Sequence, residues 1–392
     1  MVHVYIAGAR GVPRGYGGYD AFVDDLVSNQ QNKEIQYWIA TIKGEKYEQT
    51  KYKRAYCLPI KTPRVGAATM LLYDILALRR FIRHIKRNNH EGAIIYILAS
   101  RIGPFIKWYV KKLHKIGAYV CLNPDGHEWK RTKWSLPIRK YWKLSERLMA
   151  KNSDLIICDS VNIEKYIQNE YSHYKPKTIF IPYGANTDAS TEAHESYMDW
   201  CINNCINPGS HYLVVGRFVP ENNYETIIRE FMKTTSQHQL VIITDNSKNS
   251  FMKTLCKRTG YDADKRILFP GTVFNQQLLK RIREHAVAYI HGHEVGGTNP
   301  SLLEGLASTQ VNILLNVCFN QEVGGNAALY FTKEKDSLKN LIEMVDCFSC
   351  EQRLELGKEA KQRIRDCYLY DDICRRYEEH FTSIYGNVLN ND

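Results

Sequence analysis

Short runs of β-branched and other apolar residues alternate along the chain with longer segments in which apolar residues recur every three or four positions. The first pattern predicts buried strands, the second amphipathic helices. Strands are expected at 3–7, Ile35–Ile42, Ile94–Ala99, Tyr119–Leu122, Leu155–Cys158 and from Thr178 towards Gly184. Helices are expected at Tyr19–Val27, 71–90, Pro104–His114 and about 140–151. Strand and helix taking turns in this way imply a parallel sheet covered on both faces.

Residues 187–210 are polar, carry Asn207-Pro-Gly-Ser210 and read as a linker. The alternation then starts again. His211–Val215, Leu240–Thr244, Ile267–Phe269, Ala286–Ile290, Val311–Leu315 and Ala328–Tyr330 are the expected strands, and Tyr224–Met232 is the first helix. Two α/β domains are therefore predicted, over 1–186 and 187–374. Residues 375–392 form a last helix expected to pack back towards the first domain. Each domain is read as a doubly wound Rossmann-like sheet, the two facing across a cleft that holds the ligand.

Charge changes this picture in one respect. The net charge of +11 divides into +16 over residues 1–186 and −5 over 187–392. The helix at 71–90 sets Arg79, Arg80, Arg83, Lys86 and Arg87 among Ile75, Leu78, Phe81, Ile82 and Ile85. The next helix mixes Phe105, Ile106, Trp108 and Val110 with Lys107, Lys111 and Lys112. Either helix alone reads as the solvated flank of a sheet, but two in one basic domain favour docking on an anionic membrane surface, with no nucleic-acid partner. No apolar run reaches the ~18 residues of a membrane span, and no signal peptide is apparent. The expected location is cytoplasmic, peripheral on the inner face of the plasma membrane. Eleven scattered cysteines read as reduced thiols. Cys201/Cys205 and Cys347/Cys350 have metal-like spacing, but zinc needs two such hooks brought together. Asp262-Ala-Asp264 precedes a strand instead of ending one, which disfavours a metal held against a diphosphate.

The candidate chemistry lies in three loops. His291-Gly-His-Glu-Val-Gly-Gly-Thr-Asn-Pro-Ser-Leu-Leu-Glu304 joins a strand to a helix whose N-cap is Asn299 and whose first residue is Pro300. Gly296 and Gly297 let backbone approach an oxyanion, and the helix dipole adds roughly half a positive charge there. The simpler reading is a crossover turn. Glu304 gains little from a bare phosphate and suits a sugar hydroxyl. Asn123-Pro-Asp-Gly-His-Glu-Trp-Lys-Arg131 follows a strand end, where Asp125 and His127 can orient a hydroxyl and Lys130 and Arg131 can hold a phosphate. A surface turn at Asp125-Gly126 is the alternative. The loop Gly8–Gly18, with Arg10 and Arg14, lacks the dinucleotide fingerprint, which argues against a dehydrogenase.

Taken together, Gly17-Gly18, Ile181-Pro-Tyr-Gly184, Val215-Gly-Arg-Phe-Val-Pro-Glu-Asn222, the 294–304 loop and Phe319–Leu329 resemble the retaining glycosyltransferases of family 4, which have the GT-B fold. Ile6–Pro13 with Tyr16-Gly-Gly-Tyr19, Asp125–Arg131 and Gly296–Glu304 are similar to bacterial rhamnosyltransferases of capsule and cell-wall assembly. The resemblance implies dTDP-β-L-rhamnose as donor, an undecaprenyl-diphosphate glucose or N-acetylglucosamine as acceptor, a β-1,4 link, and neither metal nor cofactor. Two departures stand out. The family's paired acids have seven residues between them, whereas Glu294 and Glu304 have nine and the strict position is Gly296; the basic residue usual after the Gly-Arg pair is here Asn222. By the resemblance, Arg217, Asn222, Glu294, Gly296, Gly297, Thr298, Asn299 and Glu304 bind the donor with Gly17 and Gly18. Arg10, Asp125, Lys130 and Arg131 meet the acceptor. Arg217 neutralises the departing diphosphate, Glu304 holds the nucleotide's sugar, and Asp125, then His127, orients the attacking hydroxyl.

Overall fold

The computed structural model describes residues 1–15, 17–44, 50–131, 134–245 and 250–390. They divide into two units, Met1–Lys130 with Trp134–Tyr183 and Tyr370–Asp392, and Gly184–Leu369 with Arg131.

The first unit carries β1 (Val2–Ala7), β2 (Ile35–Ile42), β3 (Lys51–Tyr52), β4 (Ala55–Ile60), β5 (Ile94–Leu98), β6 (Tyr119–Asn123), β7 (Leu155–Cys158) and β8 (Thr178–Phe180). Among the described residues they form one sheet in the order β3-β4-β2-β1-β5-β6-β7-β8, parallel except for β3 against β4. Helices α1 (Gly18–Ser28), α2 (Thr69–Asn88), α3 (Gly103–His114), α4 (Leu136–Asn152) and α5 (Val161–Glu170) are its crossovers. All five residues of β5 are buried, as a central strand with layers on both faces requires. β4 is not among the expected strands because Pro59 interrupts its pattern. Pro59 falls beyond the residues that β3 pairs, on an edge where no donor is needed.

The second unit carries β9 (His211–Val215), β10 (Gln239–Ile243), β11 (Ile267–Leu268), β12 (Ala288–His291), β13 (Asn312–Leu315) and β14 (Leu329–Phe331), all parallel, in the order β11-β10-β9-β12-β13-β14. Its helices are α6 (His194–Asn203), α7 (Tyr224–Met232), α8 (Ser250–Thr259), α9 (Gln276–Glu284), α10 (Pro300–Ser308), α11 (Cys318–Gly324), α12 (Ser337–Asp346) and α13 (Cys350–Cys367). Tyr212, Val214, Leu240 and Ile242 join the apolar layer with Ile227 and Phe231, while Leu213, Val241 and Ile243 face Leu279 and Ile282. This alternation buries both faces of the sheet. The expected linker at 187–210 is in part a helix. α6 fully buries only Tyr197 and Cys201 against the second layer, with Met198 and Trp200 partly buried beside them, too few buried positions to mark a helix in sequence.

The last helix, α14 (Tyr370–Asn390), belongs to the first unit. Buried Tyr377 and Phe381 meet Phe22, Tyr37 and Tyr96 there, and the Glu378 carboxylate accepts from the amides of Gln31 and Asn32, both at 2.9 Å.

Several histidines are folded in as neutral rings. His3 stacks on His90 with centroids 3.6 Å apart and accepts from Trp38 Nε1 at 3.2 Å; the Nδ1 atoms of His84 and His90 lie 2.9 and 2.7 Å from the Tyr5 hydroxyl. Burial, reinforced by His90, pushes the His3 pKa down to about 4, and burial pushes His211 down to about 4 as well. The unfolded chain, with histidine pKa near ~6.5, binds more protons than the native one between these values. Stability from these rings is thus fully present above ~6.5 and lost as pH falls towards ~4. The melting temperature by calorimetry is expected to decline steadily from about pH 7 to about pH 5. A flat profile contradicts this origin.

Candidate functional site

The order of the second sheet reverses between β9 and β12, and ligands of open α/β sheets bind past the strand ends at such a switch. The loops leaving these two strands pack against each other at glycines. A Cβ on Gly216 would lie 3.0 Å from His293 Cε1 and 3.1 Å from Asn222 Nδ2; one on Gly292 would lie 2.4 Å from the Asn222 carbonyl oxygen. Asn222 is buried, and its Nδ2 donates to the Arg217 carbonyl at 2.7 Å, joined there by the Tyr224 hydroxyl at 3.1 Å. Asn222 therefore braces the loop that carries Arg217, which is itself exposed.

Glu294 donates its amide to the Glu221 carbonyl at 3.1 Å, and its carboxylate accepts from Lys333 at 2.6 Å. Gly296 stands at φ +157° with nothing near its vacant Cβ position. Gly297 follows, Thr298 is buried, and Asn299 caps α10 by accepting from the Ser301 amide at 2.9 Å. Pro300 occupies the first turn, whose free amides attract anions. Glu304 is held from below: its Oε2 accepts from Arg283 Nη2 at 2.6 Å, and the Arg283 side chain is only 3% exposed. Ser301 Oγ donates to the Val215 carbonyl at 3.2 Å and lies 2.9 Å from the Tyr289 hydroxyl, which in turn is 3.0 Å from His291 Nδ1. Polar contacts thus tie the ends of β9 and β12 to the start of α10. The arrangement offers a cation, open backbone and a carboxylate, suited to a diphosphate joined to a hydroxylated group.

The other predicted residues lie in the first unit, whose sheet reverses between β1 and β5. Gly8, at φ +107°, passes so near Leu98 that a Cβ would sit 2.2 Å from its carbonyl oxygen. Arg101 Nη1 donates to the carbonyls of Gly8 at 3.1 Å and Leu98 at 3.3 Å and to Asp74 Oδ2 at 3.0 Å. Burial pushes the Asp74 carboxyl up to about 6 while Arg101 pulls the other way. At the end of β6, buried Asn123 accepts on Oδ1 from the Asp125 amide at 3.0 Å and the Tyr19 hydroxyl at 3.4 Å. Asp125 adopts φ +62° and is half-buried. His127 is buried with its ring 4.3 Å from that of Tyr166; burial, then Lys130 and Lys143, pushes its pKa down to about 4. Lys130 is exposed, its Nζ 5.3 Å from the Trp129 ring centre. Arg131 is buried and clusters with the second unit. Exposed Arg10 donates its amide to Asp20 at 2.7 Å, and Gly17 and Gly18 open α1. Asp264 is bound to Arg266 at 2.7 Å, and among the described residues no cluster of histidine, cysteine and carboxylate side chains suits a metal.

Sequence reasoning singled out neither Asp74, Arg101, Arg283 nor His293. Asp74 and Arg283 each carry a signal in retrospect, a charge on the apolar face of an amphipathic helix. His293 lies inside the 291–304 loop, where no residue spacing distinguishes it.

The two largely parallel sheets and their strand orders give the chain the GT-B fold, two Rossmann-like domains in one polypeptide. A family model described as a domain of unknown function, DUF1972, matches residues 1–186. No curated protein matches. Among solved structures, sucrose-phosphate synthase from Thermosynechococcus elongatus is 14% identical, with a TM-score of 0.78 over 99% of this chain and 100% of that one. Trehalose 6-phosphate synthase from Burkholderia multivorans is 9% identical, with a TM-score of 0.73 over 100% and 98%. HepE of Anabaena, solved in complex with UDP, is 10% identical, with a TM-score of 0.67 over 98% and 100%. Identities this low establish the fold alone.

Removing one partner of the Arg283–Glu304 pair, whose carboxylate is half-buried and whose guanidinium is buried, leaves the other uncompensated. Arg283→Met is therefore expected to lose about 3–5 kcal/mol of unfolding free energy in urea titration, and Arg283→Met/Glu304→Gln clearly less. Equal losses in both variants count against the pairing.

Proposed function

We propose that the chain is a retaining glycosyltransferase that moves L-rhamnose from dTDP-β-L-rhamnose to an undecaprenyl-diphosphate-linked glucose or N-acetylglucosamine, forming a β-1,4 link in bacterial surface polysaccharide. The observation that carries the transfer reading is the switch of the second sheet, where Arg217, the open backbone at Gly296 and the start of α10 stand with Glu304. The donor and acceptor rest on the motifs that resemble rhamnosyltransferases.

In this reading the diphosphate lies against the α10 amides and Arg217, where fixed positive potential favours the charge that grows as the sugar departs. Glu304, immobilised by Arg283, accepts the deoxyribose 3′-hydroxyl. Asp125 orients the acceptor hydroxyl from a backbone pinned by Asn123. The acceptor's proton passes to the leaving phosphate on the same face of the sugar, which preserves the anomeric configuration. No metal enters the scheme.

The acceptor is a lipid, and the first unit has a surface suited to one. On α3 and α4, Phe105, Trp108, Leu136 and Leu144 are between 41% and 69% exposed, beside exposed Lys107, Lys111, Lys112, Lys140 and Arg147. Arg79, Arg80, Arg83, Lys86 and Arg87 are exposed on α2. Apolar residues set among cations suit the inner face of an anionic membrane. No described helix is long and apolar enough to cross one.

HepE has also been solved with UDP and glucose, which makes UDP-glucose the competing donor. Radiolabel transfer to a short-chain lipid-diphosphate sugar is expected from dTDP-rhamnose; transfer only from UDP-glucose replaces the donor assignment. A sugar-nucleotide-binding protein without catalysis is recognised by donor binding in calorimetry with no product. Arg217→Ala and Glu304→Ala are each expected to lower kcat/KM by about 100-fold or more, and full activity in both misplaces the donor. EDTA is expected to leave turnover unchanged. Flotation with anionic liposomes, but not neutral ones, checks the membrane surface; equal binding to both argues against electrostatic docking.

A further inference from the structure

His293 has the geometry of a working group without an assigned task. It leaves β12 at the sheet switch, and its carbonyl is fixed by Asn320 Nδ2 at 3.0 Å. One face of its ring stacks on buried His291, with centroids 4.3 Å apart and planes 11° from parallel. His291 is itself locked through Tyr289 to Ser301 on the first turn of α10. The ring also packs near Gly216, the residue immediately before Arg217, where an added Cβ would lie 3.0 Å from its Cε1. Among the described residues its nitrogens make no hydrogen bond, although the ring is held on two sides. Burial, then His291, Arg217 and Arg131, keeps its pKa well below the ordinary value, so the ring is neutral and carries one N–H.

We propose that His293 is a catalytic hydrogen-bond donor to the departing nucleoside diphosphate. The proposal rests on the glycosyl-transfer reading above. In the transfer, the bond between the anomeric carbon and the diphosphate oxygen breaks and its electron pair goes to that oxygen. The acceptor oxygen bonds to the anomeric carbon, and its proton moves to the leaving phosphate. His293 keeps its own proton throughout. Its N–H bond to phosphate oxygen strengthens as charge develops, which is what a group selective for the transition state must do. Arg217 beside it supplies a full positive charge; the neutral imidazole adds an N–H donor on a ring held by stacking. The stacked pair favours neutrality, because protonating either ring places a cation against its buried neighbour.

The test combines kinetics with calorimetry on the full chain. His293→Ala is expected to lower kcat by about 100- to 1,000-fold, with donor KM changed no more than about three-fold. Nucleoside diphosphate affinity, measured with dTDP and UDP, should fall by a larger factor than donor affinity, because the free diphosphate carries the charge that the donor lacks. His293→Asn or His293→Gln, each returning an N–H near one ring nitrogen, should recover about ten-fold of the lost rate or more. A kcat within about three-fold of the unaltered protein overturns the proposal, as do equal losses of donor and diphosphate affinity with no amide rescue. If the unaltered protein transfers sugar from no donor, the glycosyl-transfer reading fails first. Diphosphate affinity then judges His293 separately: a weaker site in His293→Ala supports the contact, and an unchanged one overturns it.

Discussion

Everything at the candidate donor site depends on two chain segments approaching closer than side chains allow. The loops after β9 and β12 meet at Gly216 and Gly292, where an added Cβ would crowd His293 at 3.0 Å and strike the Asn222 carbonyl at 2.4 Å. That approach gathers Arg217, His293 and the Gly296 backbone around one strand-order reversal. The first sheet uses the same device at Gly8 and Leu98, with Arg101 fastening the two carbonyls together. A doubly wound sheet creates the crevice, and glycine closes the backbone around it.

The close packing places polar groups out of water, and the structure answers with ion pairs and hydrogen bonds. Asp74 is matched by Arg101, Glu304 by Arg283, and Glu146 by the hydroxyls of Tyr166 and Tyr171, both at 2.5 Å. Such pairs add little net stability, since desolvation offsets most of the attraction. What they contribute is fixed orientation. Glu304 cannot swing while Arg283 holds it, and the Tyr166 ring that walls His127 is pinned through Glu146 and Lys143. Preorganisation of this kind lets a site act on charge that appears only during a reaction.

The first unit combines this rigidity with a different kind of surface. Its sheet is closed on one side by α14, the last helix of the chain, through Tyr377, Phe381 and the Glu378 carboxylate. On α3 and α4 it keeps exposed Phe105, Trp108, Leu136 and Leu144 among lysines, a composition that a purely water-facing helix pair does not need.

Residue order alone specified the alternation of strand and helix, and with it two parallel sheets. β7, β9 and α7 begin and end where the periodicity places them, because a fully buried strand must be apolar throughout and a sheet-flanking helix apolar on one face. Glycine spacing also marked the 296–304 loop, since backbone approach needs residues without side chains. Where apolar content was low, as in α6, or interrupted, as in β4, the pattern gave no strand or helix. The sequence could not show which charges meet. Arg283 with Glu304, Asp74 with Arg101, and His293 against Gly216 join residues separated by 21, 27 and 77 positions. Only the strand order and the helix packing brought them together, because pairing of distant side chains is a property of the folded path and leaves no local period in the chain.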